Sequence, residues 1–550
     1  MNFRVLKVGL PLMALSLLSC APKDPPRPHI FVYLIDTLRA DHVGCYGYDR
    51  PTTPVIDGFA DDAFRFANAY SASPWTRPSV VSLFTGVPPA IHGVRGRAGW
   101  AESSLTTWAE RLKELGYSTV AHFTNGNLEQ RYGLGQGFDE YVFEENPGKI
   151  YLPSPELHER WLKSLDEAAT EPGTPLFHYV HSMDPHVPFT PEREFRRPFV
   201  RDEVRWREWF DGDANAGESI GIDYNRYNAE IRQNDHAFGL FLDALRARGW
   251  YEDSWIVLVA DHGEEFREHG FRGHGNGLWE NLLRVPLIVR PPGGREGPHA
   301  GSLSRWVEAA LPVHALPDLI GGSQWPDWQS LGLANTAWTG LPAETLSHWI
   351  PTPASPGIEL RYASFLLDGN AATMVARGTE KLIWQAFPEA RWYQVDSATD
   401  PLEQRATVEP DPELFAEMQA WFAATRRGLE LSFDGPDSSV FRLRPNGAFR
   451  GASLYPGEFA GRTHLRRHKE TTTVVWHCPP GGRILLDRDV GQAWLIEVGE
   501  GNWVELDEAR VGDIAGLHMR EYGTARTAEA LPPPMSPELR EQLKALGYIE

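Results

Sequence analysis

Ile30-Phe31-Val32-Tyr33-Leu34-Ile35-Asp36 is an unbroken apolar run that stops on a carboxylate. A strand buried on both faces reads this way, because it has no solvent side on which polar residues could alternate. The pattern recurs twice. Trp255-Ile256-Val257-Leu258-Val259-Ala260 ends in Asp261-His262-Gly263, and Leu176-Phe177-His178-Tyr179-Val180 ends in His181, followed by Asp184-Pro185-His186. Titratable residues at the carboxyl ends of several buried strands are how an open α/β sheet assembles a site. The fold class is therefore α/β, a large, mostly parallel sheet flanked by helices.

Helical patterns separate these strands. Leu105, Trp108, Leu112 and Leu115 share one face, with Ser103 or Ser104 as cap before them and Gly116 after. Tyr224, Tyr227, Ile231, Phe238, Phe241 and Leu245 mark a longer helix that closes at Gly249. Residues 282–289 read as a further strand, and 303–357 as a helix followed by a long irregular connection. Tyr362 to Asp396 alternates like an antiparallel sheet, Leu414 to Arg427 is a short amphipathic helix, and Phe433 to Val511 is strand-like with Gly, Pro and Asp between the runs. These readings divide the chain into a main domain over 29–430 with an antiparallel subdomain at about 360–430, a small β-rich domain over 431–527, and a tail with a terminal helix over 528–550.

The 550 residues suffice for one large domain and smaller ones, and a net charge of −21 argues against nucleic acid as a partner. Residues 1–20 read as an export signal: Arg4 and Lys7 precede the apolar Val8–Leu18, which is too short to span a bilayer stably. The segment closes on Leu17-Leu18-Ser19-Cys20, which resembles a bacterial lipobox. Lipid on Cys20 would anchor the exported chain to the membrane on its periplasmic or cell-surface side, with proline-rich 21–28 as a tether. Only Cys45 and Cys478 remain, so a disulfide framework or a cysteine-rich zinc site is excluded.

Thr76-Arg77-Pro78-Ser79-Val80-Val81-Ser82-Leu83-Phe84-Thr85-Gly86 places a hydroxyl at the mouth of a helix that Gly86 ends. Taken alone, Thr76 is an ordinary N-cap. A hydroxyl there also lies at the positive end of the helix, an environment suited to an anionic ester. Asp36, Thr76, Asp261 and His262 together make the ligand set of a one-metal site, Zn²⁺ or Mn²⁺ ahead of Ca²⁺ or Mg²⁺, with a second metal left open. The metal would activate the Thr76 hydroxyl. His181, Asp184, His186, His269 and His274 form a second group able to hold ester oxygens or protonate a leaving group, with at least two of the five expected to be structural. Glu264 and Glu265 read as the solvated start of a loop.

At these residues the chain resembles the sulfatase family of the alkaline-phosphatase superfamily. Ile35-Asp36-Thr37-Leu38-Arg39-Ala40-Asp41-His42 matches the family's first strand and loop, Thr76–Gly86 its nucleophile helix, and Asp184-Pro185-His186-Val187-Pro188-Phe189 its substrate-histidine loop. Asp261-His262-Gly263-Glu264-Glu265-Phe266, then Arg284-Val285-Pro286-Leu287-Ile288-Val289, then Trp392-Tyr393-Gln394-Val395-Asp396 follow in family order. The departures are specific. Thr76 stands where sulfatases carry the Cys or Ser converted to formylglycine, Val80 replaces the motif Arg, and Thr37 replaces the second of two paired metal carboxylates.

The resemblance implies an exported, metal-dependent hydrolase of a sulfate or phosphate ester, working through a Thr76 nucleophile and a covalent intermediate. Its implied roles are catalysis for Thr76, His186 and His274, substrate binding for Asn125, Arg77, His181 and His269, and metal ligation for Asp36, Thr76, Asp261 and His262. The partner would be an anionic ester of a glycan, lipid or small molecule. Two alternatives stay open: a phosphodiesterase or a phosphoglycerol- or phosphoethanolamine-type transferase, and a catalytically silent lipoprotein that binds glycan or protein.

Overall fold

The computed structural model describes residues 27–294 apart from 97–98, 147–150, 169–172 and 200–213, and beyond them mainly the strands and one helix between 302 and 522. The export signal, most of the tether, the connection over 309–359 and the terminal helix lie outside the described residues. Among the described residues, no helix is long and apolar enough to cross a membrane.

The sheet is built from β1 (His29–Ile35), β2 (Phe64–Tyr70), β3 (Ser118–Phe123), β4 (Glu140–Phe143), β5 (Leu176–Ser182), β6 (Ser254–Ala260), β9 (Arg284–Val285), β10 (Leu287–Arg290) and β11 (Ser302–Glu308); the short β7 (Glu265–Phe266) and β8 (Arg272–Gly273) form a separate ribbon. The spatial order is β11-β2-β10-β6-β1-β5-β3-β4, with β9 beside β2. The run that opened the sequence reading is central. β1 pairs in parallel with β5 and β6, and Ile35 lies level with both Ser182 and Ala260. Asp36 and Asp261 are the next residues along, so they leave the sheet at one height. On β3, Phe123 aligns with His181, which brings Asn125 out at the same edge.

Helices cover both faces. On one, Phe241 of the helix Ala214–Ala247 stacks on Trp161 of the helix Ser154–Ala168, 4.8 Å between centroids, and meets Phe31 and Tyr33 edge-on. On the other, Phe84 of the helix Thr76–Thr85 packs edge-on against Tyr179 at 5.0 Å. Buried aromatic surface of this extent dominates the apolar stabilisation of the layers. The long helix also caps a neighbour: Asp235 accepts from the N–H groups of Val55 and Ile56 in the helix Pro54–Ala60, which has no side-chain cap of its own.

Three local readings are corrected. Residues 302–308 form a strand rather than a helix, because Leu303 and Trp306 pair beside Phe66 and Asn68 of β2, a partner remote in sequence. Residues 280–283 make a helical turn, and Pro286 then splits the expected strand into β9 and β10. The cap of the helix Trp108–Glu114 is Thr107, in a capping box with Glu110, and Leu105 precedes it. Beyond the main sheet, 360–396 form four antiparallel strands, Pro412–Thr425 is a helix, and strands between Gly428 and Tyr522 make two further antiparallel sheets.

His158 and His178 lie in the apolar layer under the long helix, where His158 stacks on Tyr33 and donates to the Ser154 carbonyl, and His178 accepts from the Trp161 indole. Burial pushes the His158 imidazole down to about 4, and burial plus neighbouring imidazoles push His178 down to about 3. An unfolded histidine protonates near 6.5, so between about pH 6.5 and 4 the unfolded chain binds more protons than the native one, and stability falls as pH falls. The expected result is a melting temperature that drops across this window, with a shallower slope in His178→Gln, checked by thermal denaturation at a series of pH values.

Candidate active site

Asp36 and Asp261 are fully buried, and each commits one oxygen to the protein. Asp36 Oδ2 accepts from His181 Nε2 at 2.9 Å and Asn125 Nδ2 at 2.7 Å. Asp261 Oδ1 accepts from the backbone N–H of Thr37 at 3.1 Å and of His262 at 2.9 Å. The other oxygens, Asp36 Oδ1 and Asp261 Oδ2, have no hydrogen-bond partner, and neither has the buried Thr37 Oγ1. Orphaned buried acceptors are costly unless something binds them.

Their electrostatics agree. Burial and the charge of Asp36 raise the Asp261 carboxyl, whereas Asp36 stays below the usual range because the His181 hydrogen bond and the imidazoles of His186 and His262 outweigh its burial. Asp36, His181 and Asp261 each offer one ligand atom, all within 4.8 Å of one another. Two carboxylate oxygens with open lone pairs suit a divalent cation. Thr37 holds φ 56°, a strained value for a β-branched residue. Its backbone is kept there by the N–H bond to Asp261 and by Tyr227, whose hydroxyl donates to the Thr37 carbonyl at 2.7 Å.

Thr76 is not a cap. Trp75 holds the N-cap position, and Thr76 is the first helical residue, fully buried. Its Oγ1 lies 3.2 Å from His262 Nε2. Because His262 Nδ1 donates to the Gly263 carbonyl at 2.9 Å, the Nε2 lone pair is the acceptor that faces the hydroxyl. Ser79 donates to the Asp261 carbonyl at 2.6 Å and pins this helix to the end of β6. Gly263 is required by close approach, since a Cβ there would lie 1.9 Å from the Asn281 carbonyl oxygen.

The ribbon β7–β8 folds His274 back over the site. Its ring lies 4.5 Å from that of His262 and 4.9 Å from that of His186. Glu264, read from sequence as solvated, is buried, with both carboxylate oxygens 3.4 Å from His274 Nδ1; Glu265 is buried as well. Burial pushes the Glu264 carboxyl up to about 7 against the pull of His186 and His262. The signal available in sequence was the Arg267–Gly270 reversal, which returns the chain so that Glu264 and His274 meet.

Four expected substrate contacts are placed elsewhere. His181 and Asn125 both donate to Asp36, because the strand register delivers them to that carboxylate. Arg77 is buried with its guanidinium turned to the carbonyls of Asn127 and Gly99, the Asn127 side chain and the face of Tyr132. His269 stacks on Trp279 at 4.2 Å, and its backbone N–H donates to Glu265. Asp184 is structural too, accepting from Ser154 and Gln233.

A family model described as Sulfatase matches residues 28–305, half of the chain. An ulvan-active sulfatase of Formosa agariphila is 26% identical over 387 residues, 62% of this chain and 70% of that one. A putative sulfatase structure from Bacteroides fragilis superposes with a TM-score of 0.59 at 16% identity, covering 74% of this chain and 97% of that one. A phosphonate monoester hydrolase of Agrobacterium radiobacter gives a TM-score of 0.54 at 17% identity, covering 72% and 94%. At these identities the two superpositions speak for the fold.

Zn²⁺ or Mn²⁺ is expected to raise the melting temperature of metal-stripped protein, by about 2.7 kcal/mol of stability at a hundredfold excess over Kd. Asp36→Asn and Asp261→Asn should each abolish that rise. Asp261→Asn should also stabilise the stripped protein, because it removes one of two neighbouring buried carboxylates. Calorimetric titration and thermal denaturation read both effects.

Proposed function

The chain belongs to the sulfatase family, and on that premise we propose that it hydrolyses a sulfate or phosphate ester with Thr76 as nucleophile. One observation carries the proposal: a buried hydroxyl at a helix N-terminus, 3.2 Å from the acceptor nitrogen of His262, beside two carboxylates with open oxygens. A divalent cation, Zn²⁺ or Mn²⁺ ahead of Ca²⁺ or Mg²⁺, would be held by Asp36, Asp261 and His262 next to Thr76, and would supply Lewis-acid polarisation.

The chain's own groups do the rest. Thr76 Oγ1 gives up its proton to water and attacks the sulfur or phosphorus in line, and the bond to the leaving oxygen breaks. His186 and His274 hold the non-bridging oxygens or protonate the leaving oxygen. The positive end of the Thr76 helix favours the anion. Water attacks the covalent intermediate and frees Thr76.

Thr76 carries a methyl group on Cβ and cannot become the formylglycine aldehyde, which favours a phosphate ester, with hydrolysis or transfer to an acceptor alcohol as the outcome. The name of the ulvan-active relative favours an anionic glycan ester. Export and a lipid on Cys20 complete the proposal and rest on the sequence of residues 1–20.

A panel of aryl sulfate, aryl phosphate monoester and bis-aryl phosphodiester, run with Mn²⁺, Zn²⁺ and Ca²⁺, identifies the ester. Thr76→Ala should lose ~10³-fold or more in kcat on whichever is cleaved, and lose the trapped covalent adduct, while Thr76→Ser keeps most of the rate. Unchanged hydrolysis and labelling in Thr76→Ala would rule the mechanism out. In a bacterial host, labelled palmitate should enter the wild-type chain and not Cys20→Ala.

A further inference from the structure

Beside the reacting groups lies a second set of donors that the proposed chemistry leaves unused. After β3 the chain turns twice, over Gly126–Leu128 and Gln130–Tyr132. Tyr132 then meets two guanidinium groups: the central carbon of Arg77 lies 3.4 Å from its ring centroid, and that of Arg131 lies 5.2 Å from it. Arg77, the residue after Thr76, is committed to the carbonyls of Asn127 and Gly99 and to the Asn127 side chain. Arg131 is not. Its Nε and Nη1 are buried without a hydrogen-bond partner, and so is Asn127 Nδ2. Buried donors left unpaired are costly unless something binds them, and all three call for an acceptor.

Their placement is fixed by the chain. Arg77 Nη2 donates to Asn127 Oδ1 at 3.0 Å, which leaves Nδ2 as the free end of that amide. The Asn127 N–H donates to Asn125 Oδ1 at 2.9 Å, and Asn125 donates to Asp36, so two hydrogen bonds link Asn127 to the metal-binding carboxylate. The Tyr132 carbonyl accepts from the Ala101 N–H at 2.9 Å. Gly133 follows at φ 79°, where a Cβ would lie 2.2 Å from the Ala101 carbonyl oxygen. Burial pushes the Glu129 carboxyl up to about 7 against the pull of Arg131, so near neutrality it is an incomplete countercharge. In a chain of net charge −21, this corner has a locally reversed field.

We infer that Arg131 and Asn127 Nδ2 form a subsite for a second oxyanion of the substrate, a carboxylate or a sulfate carried beyond the ester that Thr76 attacks. The inference rests on the anionic-ester reading above and narrows it to a substrate with at least two negative groups. A guanidinium keeps its charge at any working pH and matches the oxygens of carboxylate and sulfate, and the amide adds a further donor. Arg77 does not touch this anion; it orients Asn127. The subsite takes no part in bond breaking. It acts on binding, and the second charge selects which end of the substrate reaches Thr76.

The test uses the ester that the panel shows to be cleaved, placed on glucose, on a uronic acid, and on disaccharides whose second sugar carries a carboxylate or a sulfate. Arg131→Met keeps the length of the side chain and its contact with Tyr132 but removes the donors. It should raise KM for one or more of the charged probes ~10-fold beyond any change on the glucose ester, with kcat following neither. Which charged probe responds identifies the anion and its reach. Asn127→Asp, which keeps the acceptor for Arg77 and replaces the free donor with negative charge, should shift KM in the same direction. The melting temperature of Arg131→Met should be no lower than that of wild type, because orphaned donors are removed. Calorimetric binding of the same probes to Thr76→Ala reads the subsite without turnover, and with sulfate esters it decides alone if no ester of the panel is cleaved. Arg131→Met weakening every probe alike, or wild type binding charged and glucose probes equally, would overturn the subsite and leave the Thr76 reading standing. An Arg131-dependent preference for charged probes, with Thr76→Ala as active as wild type, would keep the subsite and overturn the nucleophile.

Discussion

Two carboxylates buried side by side organise this molecule. Asp36 and Asp261 leave neighbouring parallel strands at one height, and neither is exposed to water. Two like charges held so close in a low-dielectric interior repel strongly, and the surrounding chain answers them group by group. His181 and Asn125 donate to one carboxylate, and two backbone N–H groups donate to the other. One oxygen on each is left open. A cation fits that arrangement, and the strain at Thr37 lies beside it.

The supports reach well beyond the site. Arg77 grips Asn127, whose backbone N–H donates to Asn125, which in turn donates to Asp36, so the nucleophile helix and the first carboxylate share one chain of contacts. Ser79 joins that helix to the second carboxylate's backbone. Tyr227 on the long helix holds both the Thr37 carbonyl and the Arg39 N–H, and Arg39 fixes the ribbon that carries Glu264 and His274. A displacement in any of these layers moves the reacting groups, and rigid support of this kind is what preorganised catalysis needs.

Much of this was legible in one dimension. Apolar runs ending in Asp36, His181 and Asp261 declare buried parallel strands and the edge where a site forms, because burial on both faces leaves only the strand ends for polar residues. Thr76 before Pro78 declares a helix start. The failures share a cause. Residues 302–308 became a strand because β2 offered an edge, and Arg77 left the substrate because Asn127, Gly99 and Tyr132 surround its guanidinium. Local pattern carries no information about partners far along the chain.

The sequence by itself determined the fold class, the family and the identity of the groups at the strand ends, since these depend on hydrophobic period and residue chemistry. Tertiary structure alone decided their roles. Parallel register turned His181 and Asn125 onto Asp36, and a two-stranded ribbon set Glu264 behind His274. Helix packing brought the Thr76 hydroxyl to the acceptor side of His262. Whether a side chain caps a helix, meets solvent or faces a reacting hydroxyl depends on what the fold brings within about 3 Å of it, the reach of a hydrogen bond.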